Sequence, residues 1–245
     1  MSYTEEVDYL LESIDNVSSP IEKVKILEKI ISKAQFNNDL DTEFTAKKEV
    51  LSLATFDFAI PEKQMSIFPW LLAACDKYPD RFDYFDVLWD YKWIIFESPE
   101  FRNISSLNIE NLLADLEKRY IDYGESPTVL YYLRRYVYAK MGRIKESKEN
   151  HEKLLKDRKR IKYFEDCKAC TIANLVIYLN TQGEYEEAIK AAQPVLKKKY
   201  TCTEVPLTTY PDVVLSHIFL NRVDDCQSVF KTGYGCLSKT EPFLF

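Results

Sequence analysis

Glycine and histidine are scarce in this chain. Five glycines among 245 residues supply no glycine-rich phosphate loop and no nucleophile elbow, and leave little material for tight β-hairpin turns. Two histidines, His151 and His217, make no two-histidine metal motif. Each falls in a helical segment whose neighbours account for it, and His217 lies on an apolar stripe. No apolar run approaches the roughly 20 residues that span a bilayer, and no charged-then-apolar leader opens the chain. A cytoplasmic protein without a membrane partner is expected. The six cysteines, Cys75, Cys167, Cys170, Cys202, Cys226 and Cys236, then stay reduced, with no disulfides.

What remains is helix-forming material, 46% hydrophobic and 29% charged. The fold class read from it is all-α. Val7, Leu10, Leu11 and Ile14 put one apolar face on a helix from Tyr3 to Ile14. Ser19 as cap and Pro20 at the first helical position start a helix that runs to Phe36. Asn37 to Asp39 turn the chain into a helix from Leu40 to Phe58. Pro61 opens the next, with Pro69 as a potential kink, and Tyr78 to Asp80 close it. Glu97 to Ser106, with Pro99, reads as a joint between halves 1–98 and 107–245 of one helical-repeat domain. Leu107 to Tyr123, Thr128 to Met141 and Arg143 to Arg160 follow as helices.

The clearest stretch is Glu165 to Tyr200. Ile172, Leu175, Val176 and Leu179 follow i, i+3, i+4, i+7, and Ala188, Ala192, Val195 and Leu196 repeat the stripe beyond a turn at Gly183. Glycine tolerates the left-handed backbone that ends a helix, and Ala188 admits a close helix approach. Leu175, Leu179, Gly183, Tyr185 and Ala188 together resemble a tetratricopeptide repeat. Tyr131, Tyr138, Gly142, Ile144 and Leu154 echo it upstream, with Ser147 in the place of the small alanine. Tyr210, Val213, His217, Asn221, Val223, Cys226 and Phe230 echo it downstream, with Asn221 in the place of glycine. The turns at 142, 183 and 221 are spaced more widely than the family period, which lengthens the helices and keeps the apolar face.

The resemblance implies a right-handed α-α superhelix of about six antiparallel pairs. It also implies a non-enzymatic scaffold that grips a protein or an extended peptide on the first helices of its pairs. Transferred to this chain, that face is Cys170, Ala173, Asn174 and Ile177, with Tyr132, Arg135 and Tyr136 on the preceding helix. Asn174 stands where related proteins bond a ligand backbone. Ala173 and Ile177 lack the polar groups that hold a C-terminal carboxylate in chaperone-binding members. A similar architecture occurs in bacterial peptide-responsive regulators, so a ligand-responsive sensor without its own DNA-binding domain is the alternative.

Residues 82–96 are the most aromatic stretch. Phe82, Phe85, Trp89, Trp93 and Phe96 lie on one face and Asp83, Asp86 and Asp90 on another. The rings read as packing between helix pairs. Tyr84 and Tyr91, off that stripe, are the better candidates for a partner groove.

Charge is divided unevenly. Residues 1–125 carry 13 Lys and Arg against 25 Asp and Glu, and residues 126–245 carry 20 against 14. The first half suits a basic partner and the second an acidic one, although solvated helix faces explain both. Nucleic-acid binding is not expected, since the basic run 156–162 sits at a helix C-terminus. Cys167-Lys168-Ala169-Cys170 has the spacing of half a zinc site. With no second pair, His151 or Cys202 would have to be recruited from elsewhere, so two small core residues are expected there, with no metal and no cofactor. The apolar end Pro242 to Phe245 is expected to fold over the last hairpin or to join an interface, including one between copies.

Overall fold

The structure is a computed structural model that describes residues 2–56, 61–157 and 161–237. Among the described residues there are twelve α-helices, two 3-10 turns and no strand. The chain divides into two compact units, Met1–Arg119 and Tyr120–Phe245, and the division falls inside a helix rather than in the 97–106 link. Phe58, residues 158–160 and the Pro242–Phe245 end lie outside the described residues.

The first unit holds α1 (Tyr3–Asp15), α2 (Pro20–Phe36), α3 (Leu40–Phe56), α4 (Pro61–Lys77), α5 (Tyr84–Glu97) and the larger part of α6 (Ser106–Tyr123). α1 begins with a capping box, in which Ser2 and Glu5 satisfy each other's backbone amides. Pro20 takes the first position of α2 as expected, whereas the Ser19 side chain makes no capping bond. Asn38 turns the chain with φ of 55°. α2 packs on α3, α3 on α4, and α5 on both α3 and α4. α4 continues through Pro69.

That double covering of α5 corrects the aromatic stripe. Phe82 lies before α5 and stacks on Phe44 with centroids 4.0 Å apart, while Asp83 caps the helix by accepting from the Phe85 amide at 2.8 Å. The deepest positions are Val87, Leu88, Tyr91, Ile94 and Ile95. Trp89 and Trp93 pack edge to face at the half-buried flank. Lys92 is fully buried, with Nζ 3.7 Å above the Trp89 ring.

The second unit holds the end of α6, then α7 (Thr128–Lys140), α8 (Ile144–Lys156), α9 (Lys168–Thr181), α10 (Tyr185–Leu196), α11 (Tyr210–Phe219) and α12 (Val223–Leu237). The pairs α7 with α8, α9 with α10, and α11 with α12 each pack face to face. Their first helices also meet in order, α7 on α9 and α9 on α11. This is a helical repeat-like arrangement, compatible with tetratricopeptide-like pairing.

The turn chemistry is as the sequence predicts. Gly142, Gly183 and Asn221 have φ of 71°, 76° and 56°. Within α9 and α10, Val176, Leu179, Ala188 and Ala192 form one buried cluster with Tyr178 and Val213. Ser147, in the place of alanine, is fully buried and donates its hydroxyl to the Arg135 carbonyl at 2.7 Å. Burying that hydroxyl therefore leaves no unsatisfied donor.

Candidate functional site

The residues assigned by resemblance meet in the second unit, but they meet inside it. Tyr132 and Arg135, one turn apart on α7, are buried rather than lining an open surface. Asn174 on α9 donates its amide to the Tyr132 hydroxyl, so its side chain is engaged within the fold. Cys170, Ile177 and Tyr136 are half-buried, and Ala173 is buried. The physical reason is the position of α7, which α8 covers on one side and α9 on another.

Arg135 is the unusual member. Its guanidinium carbon lies 5.2 Å from the Tyr132 ring and 5.4 Å from the Tyr178 ring, and Nη1 is 3.2 Å from Nδ1 of His151. Nε and Nη2 meet no hydrogen-bond acceptor among the described residues, so the aromatic faces carry the remaining stabilisation. His151 in turn stacks on Tyr178 at 4.2 Å. Burial and the neighbouring cation of Arg135 hold the His151 imidazole below its usual range. Arg135 is visible in the sequence as a candidate but its enclosure is not, because Tyr178 and His151 come from α9 and α8.

In the first unit, Tyr84 is half-buried and bonds Asp76 at 2.9 Å, beside Arg119. Tyr91 is no groove residue. It is 2% exposed, and its hydroxyl donates to the Asp115 carboxylate at 3.0 Å.

A second constellation surrounds the start of α9. Cys167 is the N-cap of that helix, and its sulfur accepts from the Cys170 amide at 3.4 Å. Cys202, on the connection between α10 and α11, places its sulfur 3.5 Å from that of Cys170. The three sulfurs lie within 4.8 Å of one another. Cys167 is exposed and the other two are half-buried, which corrects the expectation of two core residues. The connection 197–209 returns beside the first turn of α9, where Val205 clusters with Ala169 and Ile172 and Cys202 packs against them. Burial raises the Cys167 thiol, but amide donation at the helix start and hydrogen bonds from the Cys170 and Cys202 thiols together outweigh it and leave the thiol below its ordinary range. Burial pushes the Cys170 thiol up.

The third feature is apolar. Leu207, Tyr210, Pro211, Val214, Phe230 and Tyr234 line a groove of about 270 Å³ on α11 and α12. Ile218, Phe219 and Val223 stand exposed on the same helix pair. Phe230 belongs to the repeat pattern in the sequence, but this surface is not legible there, because helical periodicity does not say which apolar face lacks a neighbour.

No protein-family model matches the chain, and no curated protein matches it. Among the described residues, no helix is long and apolar enough to cross a membrane.

Proposed function

We propose that this chain is a non-enzymatic scaffold of tetratricopeptide type that binds a protein or peptide. The observation that supports it is the apolar face of the α11–α12 pair. Phe230 and Tyr234 are each more than half exposed, and with Leu207, Tyr210, Pro211 and Val214 they line one apolar groove. Exposed apolar surface of that extent on a folded chain is costly unless a partner covers it. The occupant is a segment of partner polypeptide that inserts one large aromatic or aliphatic anchor, the usual centre of such an interface. This moves the binding surface from the α7–α9 face to the last pair.

A peptide-display selection on the whole chain tests the reading. Enriched peptides should share a large apolar residue and bind at micromolar strength, about −8 kcal/mol. A chain carrying Phe230→Ser and Tyr234→Ser should lose that binding at least tenfold while keeping its helical circular dichroism. No enrichment, or equal binding by the double variant, overturns the assignment. So does binding that emerges only when residues 238–245 are deleted, because the groove then holds the chain's own end. Self-association abolished by the two substitutions would likewise give the face to a second copy.

A further inference from the structure

We propose that Cys167, Cys170 and Cys202 bind one zinc ion through three thiolates, with a water in the fourth tetrahedral position. The geometry supports this first. Zinc–sulfur bonds of about 2.3 Å place tetrahedral sulfurs about 3.8 Å apart. The sulfurs of Cys170 and Cys202 are 3.5 Å apart, and all three lie within 4.8 Å, so rotamer adjustments bring them to one ion. No carboxylate or imidazole joins the cluster among the described residues. An all-sulfur donor set selects a soft or borderline-soft cation and disfavours magnesium and calcium.

The surroundings are built for negatively charged sulfur. The Cys170 amide donates to Cys167, and the Val205 amide donates to Cys202 at 3.4 Å. The Cys202 amide returns a bond to the Val205 carbonyl at 3.0 Å, which fixes the turn presenting that thiol. Amide donors of this kind orient metal-bound sulfur and spread its charge. Cys167 also stands at the N-terminus of α9, where the helix dipole favours an anion.

Beneath the thiols, Ala169, Ile172, Ala173, Val195 and Val205 form a buried apolar cluster against which Cys170 and Cys202 pack. That shell excludes water from one side of the ion, while exposed Cys167 gives it an entry path. The connection that delivers Cys202 also carries exposed Lys197, Lys198 and Lys199. Binding releases the thiol protons to solvent, so affinity rises with pH. The ion ties the 197–209 connection to the first turn of α9 and so closes the loop between Cys170 and Cys202.

The test uses the full chain under anaerobic reducing conditions. Zinc measured by mass spectrometry should reach one equivalent. Cobalt added to the metal-stripped chain should give sulfur-to-cobalt charge-transfer bands and the strong visible bands of a tetrahedral ion. Cys167→Ser, Cys170→Ser and Cys202→Ser should each weaken zinc binding by about 100-fold, whereas Cys226→Ser, on α12, should leave it unchanged. If a serine variant fails to fold, the cobalt spectrum of the unsubstituted chain decides the question alone. Absence of the charge-transfer bands overturns the proposal. So does equal loss in Cys226→Ser, or recovery of a Cys170–Cys202 disulfide from zinc-containing reducing buffer.

Discussion

Nη1 of Arg135 donates to Nδ1 of His151 across 3.2 Å inside the second unit. Because a guanidinium keeps its protons, Nδ1 must accept, so the imidazole is neutral and carries its proton on Nε2. Tyr178, stacked on that ring and within reach of the guanidinium, fixes both groups in place.

This pairing makes stability depend on pH in a defined direction. Burial and Arg135 lower the folded pKa of His151, while Glu152 opposes them. Below the unfolded value of about 6.5 the unfolded chain binds the proton more readily, so stability is full above that pH and falls as the pH drops toward the folded value. His151→Gln keeps an acceptor for Arg135 without titrating. Thermal unfolding of the two proteins from pH 8 to pH 5 should show the wild type losing stability relative to the variant. Parallel curves would remove the role assigned to His151.

Asp90 shows the opposite sign in the first unit. It is 5% exposed, and burial, with Asp86 nearby, raises its carboxyl to about 7 while Lys48 opposes the shift. Its unfolded value is about 3.9, so the stability it contributes is present in full below about pH 4 and is lost as pH rises to about 7. At about 1.36 kcal/mol per unit the loss is as much as about 4 kcal/mol. Asp90→Asn should stabilise the chain at pH 8 by about 1–3 kcal/mol in urea unfolding and have little effect at pH 4. Destabilisation at pH 8 would show that the ionised carboxylate is favoured.

Two glycines of α12 separate packing from helix propensity. A Cβ at Gly233 would lie 2.8 Å from Cβ and Cγ of Tyr210, whose side chain lines the apolar groove, whereas a Cβ at Gly235 meets nothing within 4 Å. Gly233→Ala should cost about 1–3 kcal/mol by forcing α12 from α11. Gly235→Ala should instead stabilise by about 0.5–1 kcal/mol, through reduced backbone entropy in the unfolded chain. Equal effects in a melting comparison would contradict the close approach at Tyr210.

Local signals in the sequence carried most of the fold. Gly142, Gly183 and Asn221 announced their turns because a left-handed backbone is a property of single residues. The stripes of α9 and α10 gave part of their buried faces, where the two helices pack directly on each other. In α5 the aromatic stripe did not mark the buried face. Two helices cover it, so Tyr91 and Asp90 went inside although they lie off the aromatic stripe. The thiol cluster was half legible: Cys167 and Cys170 stand one turn apart in sequence, but Cys202 arrives on a connection with no periodicity to read. The enclosure of Arg135 depended on three helices at once, which no local pattern encodes.

The segment before α9 is held by a single carboxylate. Glu125 accepts from the amides of Ser126 at 2.5 Å, Lys162 at 2.9 Å, Tyr163 at 2.6 Å and Phe164 at 3.0 Å. That anchorage places Phe164 against Tyr120, with ring centroids 4.2 Å apart and planes 7° from parallel. Burial raises the Glu125 carboxyl, but the four donations outweigh it and hold it below its usual range. The resulting stability is present above the unfolded value of about 4.3 and is lost as pH falls through the lower folded value. Glu125→Gln puts an amide group where two of the donors now point, leaving buried N–H groups unpaired at about 1–3 kcal/mol each when fully shut off from water. The substitution should therefore cost about 2–4 kcal/mol at pH 7 and flatten the acid limb of the stability curve. Faster amide exchange at Lys162, Tyr163 and Phe164, with protection in α11 unchanged, would locate the loss at this anchor. Uniform loss of protection throughout the second unit would instead make Glu125 part of its global core.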